Sequence, residues 1–174
     1  MSEALIVRVV PDRGHINLRG NIDDMAFAAG VESACGVSLP PPLSRASNAD
    51  LHIYWLGPDE WHLAAAAEKT PGLCGLLQQS TRAMHAAVND LSGAFVTLAI
   101  SGDRVRELLA AGCTIDLHPA AFADAACAAT GLAKTGVLLA RHDAEFHLIV
   151  RRSFANYLLQ WLRRAGAEYG IEFA

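Results

Sequence analysis

Two four-residue segments, Glu60-Trp61-His62-Leu63 and Glu145-Phe146-His147-Leu148, repeat one pattern 85 residues apart. The pattern is acid, aromatic, histidine, leucine. Each copy lies in a stretch that reads as a β-hairpin followed by a helix. The spacing is too long for a solenoid repeat. It predicts a duplicated unit, each half running strand–helix–strand–strand–helix. The fold class expected is α+β, built from two βαββα units related to the ferredoxin-like pattern. Residues 1–90 form the first half and 91–174 the second, packed as one compact domain.

Local signals fill in the halves. Residues 5–10 (LIVRVV) and 15–18 (HINL) read as short strands. Asp23-Asp24 opens a helix that carries Met25, Phe27, Val31 and Cys35 and stops at Gly36, since acids suit a helix start and glycine its end. Residues 40–50, with Pro40-Pro41-Pro42, form a loop. Leu51–Leu56 and Trp61–Ala64 flank a Gly57-Pro58-Asp59 turn. Thr70 is the expected N-cap of the next helix, with Pro71 in its first turn. A strand is expected over 85–89. In the second half, 95–100 alternates as a strand does, and a helix runs from Ser101-Gly102-Asp103 to Gly112. Strands follow at 125–132, 135–142 and 145–151. The last helix starts at Ser153, with Phe154, Tyr157, Leu158, Trp161 and Leu162 on one stripe.

Composition narrows the function classes. The chain has 174 residues, a net charge of −4 and no basic stripe, which argues against nucleic acid. Its 52% apolar and 18% charged residues leave apolar surface for a protein–protein interface. Trp55 and Trp61, read as having opposite parity across the turn, are the candidate interface residues. No apolar run is long enough to span a bilayer. The start Met1-Ser2-Glu3-Ala4-Leu5 lacks a basic leader, so a cytoplasmic location is expected. Cys35, Cys74, Cys113 and Cys127 form no CxxC pair and read as free thiols.

Little chemistry is legible. No dinucleotide, P-loop, zincin or nucleophile-elbow motif is present. His52 and His62 can face each other across the first hairpin, and His142 and His147 across the second. Two histidines lack a third ligand, so no metal is expected. Asp116, in Cys113-Thr114-Ile115-Asp116-Leu117-His118-Pro119, is the one candidate catalytic acid. It also reads as a turn aspartate bonding nearby backbone N–H groups, and that role is preferred.

Trp55 with Leu56-Gly57-Pro58-Asp59-Glu60-Trp61 resembles the signature hairpin of the gamma subunit of heterotetrameric sarcosine oxidase. Asn89-Asp90-Leu91-Ser92 through Ser101-Gly102, and on to Asp116-Leu117-His118-Pro119, fits the same family. So does Thr130-Gly131-Leu132-Ala133-Lys134 through Arg151-Arg152-Ser153-Phe154-Ala155 to Tyr157-Leu158-Leu159-Gln160-Trp161-Leu162. Together these segments cover residues 51–166. The resemblance implies a fold similar to the folate-binding domain of the glycine-cleavage T protein, an aminomethyltransferase. It implies alpha, beta and delta partner subunits, with this chain non-catalytic and carrying no cofactor alone. The complex so implied demethylates sarcosine to glycine, yields H2O2 and 5,10-methylenetetrahydrofolate, and uses FAD, FMN, NAD and tetrahydrofolate. The functional aspartate of the T proteins' Thr-Asn-Asp segment corresponds to Asp116 in Thr114-Ile115-Asp116. The alternatives are a free-standing folate-binding aminomethyltransferase-like or iron–sulfur maintenance protein, a subunit of N-methylglutamate dehydrogenase, and a small binding module.

Overall fold

In the computed structural model, residues 4–174 are described. Met1, Ser2 and Glu3, part of the segment read for a leader, lie outside them. The strands are β1 (Ile6–Val10), β2 (Arg13–Arg19), β3 (Arg45–Ser47), β4 (Leu51–Gly57), β5 (Glu60–Ala66), β6 (Ala87–Asp90), β7 (Phe95–Ser101), β8 (Cys127–Leu132), β9 (Thr135–His142), β10 (Glu145–Arg151) and β11 (Glu172–Phe173). The helices are α1 (Met25–Cys35), α2 (Thr70–Ser80), α3 (Val105–Ala110) and α4 (Arg152–Ala165). Among the described residues no helix is long and apolar enough to cross a membrane.

The chain divides into two units. Unit I is Asp12–Gly93; unit II joins the segment ending at Pro11 to Ala94–Ala174. The expected 1–90 and 91–174 halves therefore need correcting at the N-terminus. The reason is strand pairing. β1 is antiparallel to β7, with Val7 opposite Ile100, so the opening strand belongs to the second unit. Alternation in LIVRVV specifies a strand but not its neighbour.

Unit I holds a sheet ordered β3-β4-β5-β2-β6, with every pairing antiparallel. Without the short edge strand β3, the sequence β2-α1-β4-β5-α2-β6 is the ferredoxin-like βαββαβ pattern. Unit II holds a sheet ordered β11-β1-β7-β10-β9-β8. Here β7, α3, β8, β9, β10 and α4 repeat the roles of β2, α1, β3, β4, β5 and α2. The place that β6 takes beside β2 is taken beside β7 by β1. An open edge on β7 would leave a row of backbone donors and acceptors unpaired.

Several local expectations hold for the reasons given. Asp24 caps α1 by accepting the N–H groups of Ala26 and Phe27, and Gly36 ends it at φ 67° with its N–H on the Glu32 carbonyl. Thr70 differs. Its hydroxyl donates back to the Ala66 carbonyl at 2.9 Å, and Lys69 holds the cap position without a side-chain bond. Thr70 is buried over Gly14, where a Cβ would lie 2.0 Å from Thr70 Oγ1. In α4 the buried line is Ala155, Leu158 and Leu162, while Phe154 and Tyr157 are exposed at its flank.

Each sheet packs one face on its helices. In unit I, Ile16, Leu18, Ile53, Trp61 and Leu63 meet Phe27, Val31 and Leu77. In unit II, Leu98, Ile100, Leu139, Phe146 and Leu148 meet Leu108, Leu158 and Leu162. The central strands are buried on both faces, over Trp61–Ala65 in β5 and Phe146–Val150 in β10.

Candidate functional site

The repeated tetrapeptide places equivalent side chains in both units, so it shows what each position does. Glu60 begins β5, and its carboxylate accepts from Arg19 Nη2 at 2.6 Å and Asn17 Nδ2 at 2.7 Å. Glu145 begins β10 and accepts from Arg8 Nη2 at 2.7 Å. Burial raises the Glu145 pKa, but bonds from Arg8 and His147 outweigh it and hold the carboxyl below its usual range. Glu60 therefore ties its hairpin to the neighbouring β2, while Glu145 reaches across β7 to Arg8 of β1.

The repeated histidines lie on the sheet face away from the helices. The first hairpin does not set His52 directly opposite His62. Tyr54 stands opposite His62, and His52 stands opposite Ala64. His62 instead meets His15 of β2, with Nδ1 of His15 2.9 Å from Nε2 of His62. Both rings are buried. Burial, and then the charge of His15, push the His62 pKa down to about 3. His62 is thus a neutral hydrogen-bonding group near pH 7, not a proton carrier. Sequence spacing missed the pair because His15 lies on a strand 47 residues away. The second pair does form. The rings of His142 and His147 stack at 3.9 Å, and His147 Nε2 lies 3.3 Å from Glu145 Oε2.

The repeated aromatic is structural. Trp61 is 1% exposed and sits 6.0 Å from the Phe27 ring. It cannot serve as an interface residue in the folded chain. Trp55 is directly paired with Trp61, so the two share the helix-facing side. The opposite parity read from the turn fails because a bulge between Trp55 and Gly57 shifts the register by one residue. Trp55 is only half-buried, packed at the margin of the core.

Asp116 is exposed, and its Oδ1 accepts the backbone N–H of His118 at 2.8 Å. That is an Asx turn within its own loop. The four cysteines are thiols, and burial raises Cys35 to about 12, far from thiolate formation near pH 7. Among the described residues no group of three or more His, Cys, Asp or Glu is placed to hold a metal ion.

Open surface concentrates in clefts within each unit. In unit I a cleft of about 440 Å³ runs between α1 and α2, with Ala34, Leu73 and Leu76 among its walls. In unit II a cleft of about 270 Å³ lies beside Phe146, between Arg106 and Arg141.

Comparison with known proteins gives a consistent result. The sarcosine oxidase, gamma subunit family matches residues 19–168. Sarcosine oxidase subunit gamma of Corynebacterium sp. (strain U-96) is 33% identical over 169 residues, 95% of this chain and 81% of that one. A chain of heterotetrameric sarcosine oxidase from Corynebacterium sp. U-96, solved in complex with pyrrole 2-carboxylate, superposes with a TM-score of 0.88 at 30% identity. The match covers 95% of this chain and 85% of that chain. Glycine cleavage system aminomethyltransferase T from Bartonella henselae superposes with a TM-score of 0.71 at 17% identity, over 98% of this chain and 48% of that one. This last likeness is one of fold.

Proposed function

Because this chain belongs to the sarcosine oxidase gamma subunit family, we propose that it works as the accessory gamma subunit of a heterotetrameric sarcosine oxidase. The observation that carries the reading is the superposition on a chain of that complex over 95% of this chain. The fold is similar to that of an aminomethyltransferase, and three of its titratable groups read as structural. His62 is held neutral, Cys35 is held as a thiol, and Asp116 closes its own turn. The partners proposed are alpha, beta and delta subunits. The reaction proposed is oxidative demethylation of sarcosine to glycine, with H2O2 and 5,10-methylenetetrahydrofolate as co-products. FAD, FMN, NAD and tetrahydrofolate are assigned to the other subunits, and no residue of this chain is assigned to any of them. The compartment proposed is the cytoplasm.

An assembly role also accounts for the apolar side chains left at the surface. Met25, Leu43 and Leu76 of unit I are all more than half exposed. Apolar residues in such positions suit contact with a partner chain. Trp55, half-buried, is the retained interface candidate.

The test is co-purification. The tagged chain, expressed in its own host, is expected to bring down flavin-containing subunits in equal stoichiometry, with sarcosine-dependent oxygen uptake in the eluate. Recovery of the chain alone, from cells that contain active sarcosine oxidase, overturns the assignment.

A further inference from the structure

The cleft of about 440 Å³ in unit I has three walls: the end of α1 at Ala34 and Cys35, the β3–β4 turn at Asn48 and Asp50, and the flank of α2 at Gly72 and Leu76. Unit II builds the same walls from the end of α3, the β8–β9 turn and α4. The 85-residue spacing of the tetrapeptide runs on through the helices, since buried Thr70 and Leu77 of α2 correspond to buried Ala155 and Leu162 of α4. Gly72 then corresponds to Tyr157, and Leu76 to Trp161. In unit II both aromatics turn onto the other two walls. A Cβ on Gly112, just past α3, would lie 2.5 Å from Trp161 Cζ2, so the indole rests against that glycine. The Tyr157 hydroxyl accepts the Lys134 N–H of the β8–β9 turn at 3.2 Å. In unit I α2 supplies no ring, and the space stays open with Leu76 more than half exposed at its lip.

The open cleft is held in shape. Asn48 Nδ2 donates to the Cys35 carbonyl at 2.9 Å, and its Oδ1 accepts the N–H groups of Asp50 and Leu51, each at 3.0 Å. The turn is thereby pinned to the end of α1. In unit II the Ala133 N–H on the Gly112 carbonyl pins the equivalent turn. A ring that enters a preformed cleft orders little on the receiving side, and its burial takes roughly 150–250 Å² out of water. The charges at the rim add a second constraint. Lys69 Nζ lies 2.5 Å from Asp50, and the neighbouring Glu68 has no ion-pair partner among the described residues. The charged residues of the lining therefore leave one negative charge over, which complements a cation carried beside the ring.

We propose that the unit I cleft receives an aromatic side chain of a partner subunit, with a lysine or arginine next to it, in the place that Tyr157 and Trp161 fill in unit II. The inference rests on the accessory-subunit role and names the surface through which that role is exercised.

The experiment compares recovery of partner subunits by the tagged full chain, Gly72→Tyr and Gly72→Ala, each expressed in its own host. A Cβ at Gly72 meets nothing within 4 Å, so both variants are expected to keep the fold. Gly72→Tyr supplies from within the chain the ring that unit II has, and is expected to lower recovery by about tenfold or more, as loss of a central aromatic contact does. Gly72→Ala leaves the cleft open and is expected to match wild type. Equal recovery by wild type and a folded Gly72→Tyr overturns the docking and leaves the subunit role standing. No recovery by wild type removes the role and the docking together. Cross-linking decides the matter even where Gly72→Tyr fails to fold. A diazirine amino acid in place of Leu76, activated in the assembled complex, is expected to label a partner-subunit segment that carries an aromatic residue and an adjacent lysine or arginine. Labelling of a second copy of this chain, of a partner segment without that pair, or of no partner at all overturns the proposal.

Discussion

His15 and His62 share a buried hydrogen bond 2.9 Å long, between strands whose sequence positions are 47 residues apart. The bond needs one ring to donate and the other to accept, so one of the two must present a bare nitrogen. The low pKa of His62, about 3, follows from the same burial.

This sets a pH dependence. The folded pKa of His62 lies below its unfolded value of about 6.5, so the unfolded chain binds the extra proton. The contribution of His62 to stability is fully present above about pH 6.5. It is lost as pH falls from there towards 3, at up to roughly 1.4 kcal/mol per pH unit. Urea denaturation at pH 7.5 and pH 5 is expected to show the loss, and His62→Gln is expected to flatten it. An unchanged slope in His62→Gln assigns the pH dependence elsewhere.

Asp116 is predicted to matter for its turn and not for chemistry. Asp116→Ala removes the acceptor for the His118 N–H and is expected to cost on the order of 1 kcal/mol, while Asp116→Asn keeps an acceptor and costs less. Sarcosine turnover in the reconstituted complex is expected to stay near wild type for Asp116→Asn. A general acid or base would show a loss of about 10²–10⁴-fold, so a drop of that size with intact assembly would make Asp116 a participant.

The two paired tryptophans are expected to separate cleanly. Trp61→Ala empties a core position against Phe27 and is predicted to cost about 3–5 kcal/mol. Trp55→Ala, at the half-buried margin, is expected to cost under half of that and to weaken recovery of partner subunits. Equal thermal destabilisation by both would show that Trp55 is as much core as Trp61.

β1 is predicted to hold unit II together. Val7, 1% exposed, pairs with Ile100. Val7→Pro removes a ladder bond and core volume at once, and is expected to cost about 3 kcal/mol or more. Hydrogen exchange should show lost protection over Phe95–Ser101, nearly ninety residues away in sequence. A loss confined to β1 itself would mean that β7 does not depend on this edge.

The sequence by itself determined most of the elements and their duplication, though not β3 within the expected 40–50 loop or β11 at the end of the chain. The Glu-aromatic-His-Leu repeat marks β5 and β10 because a hairpin strand buried on both faces uses the same residue types in both copies. Asp24 and Gly36 bound α1 through bonds made within a few residues, so those limits were legible locally. Asp116 was legible as a turn acid for the same reason. Only the tertiary structure decided which strands meet. β1 left its sequence neighbours to fill the open edge of β7, and β11 joined it there. His62 meets His15 because β2 lies beside β5. Trp55 and Trp61 came to one face because a single bulge changed the register. Thr70 gave up its cap to fill the space left by Gly14. Residue spacing fixes contacts one turn or one pleat apart. The rest depends on backbone pairing and volume brought in from distant segments, which local periodicity does not encode.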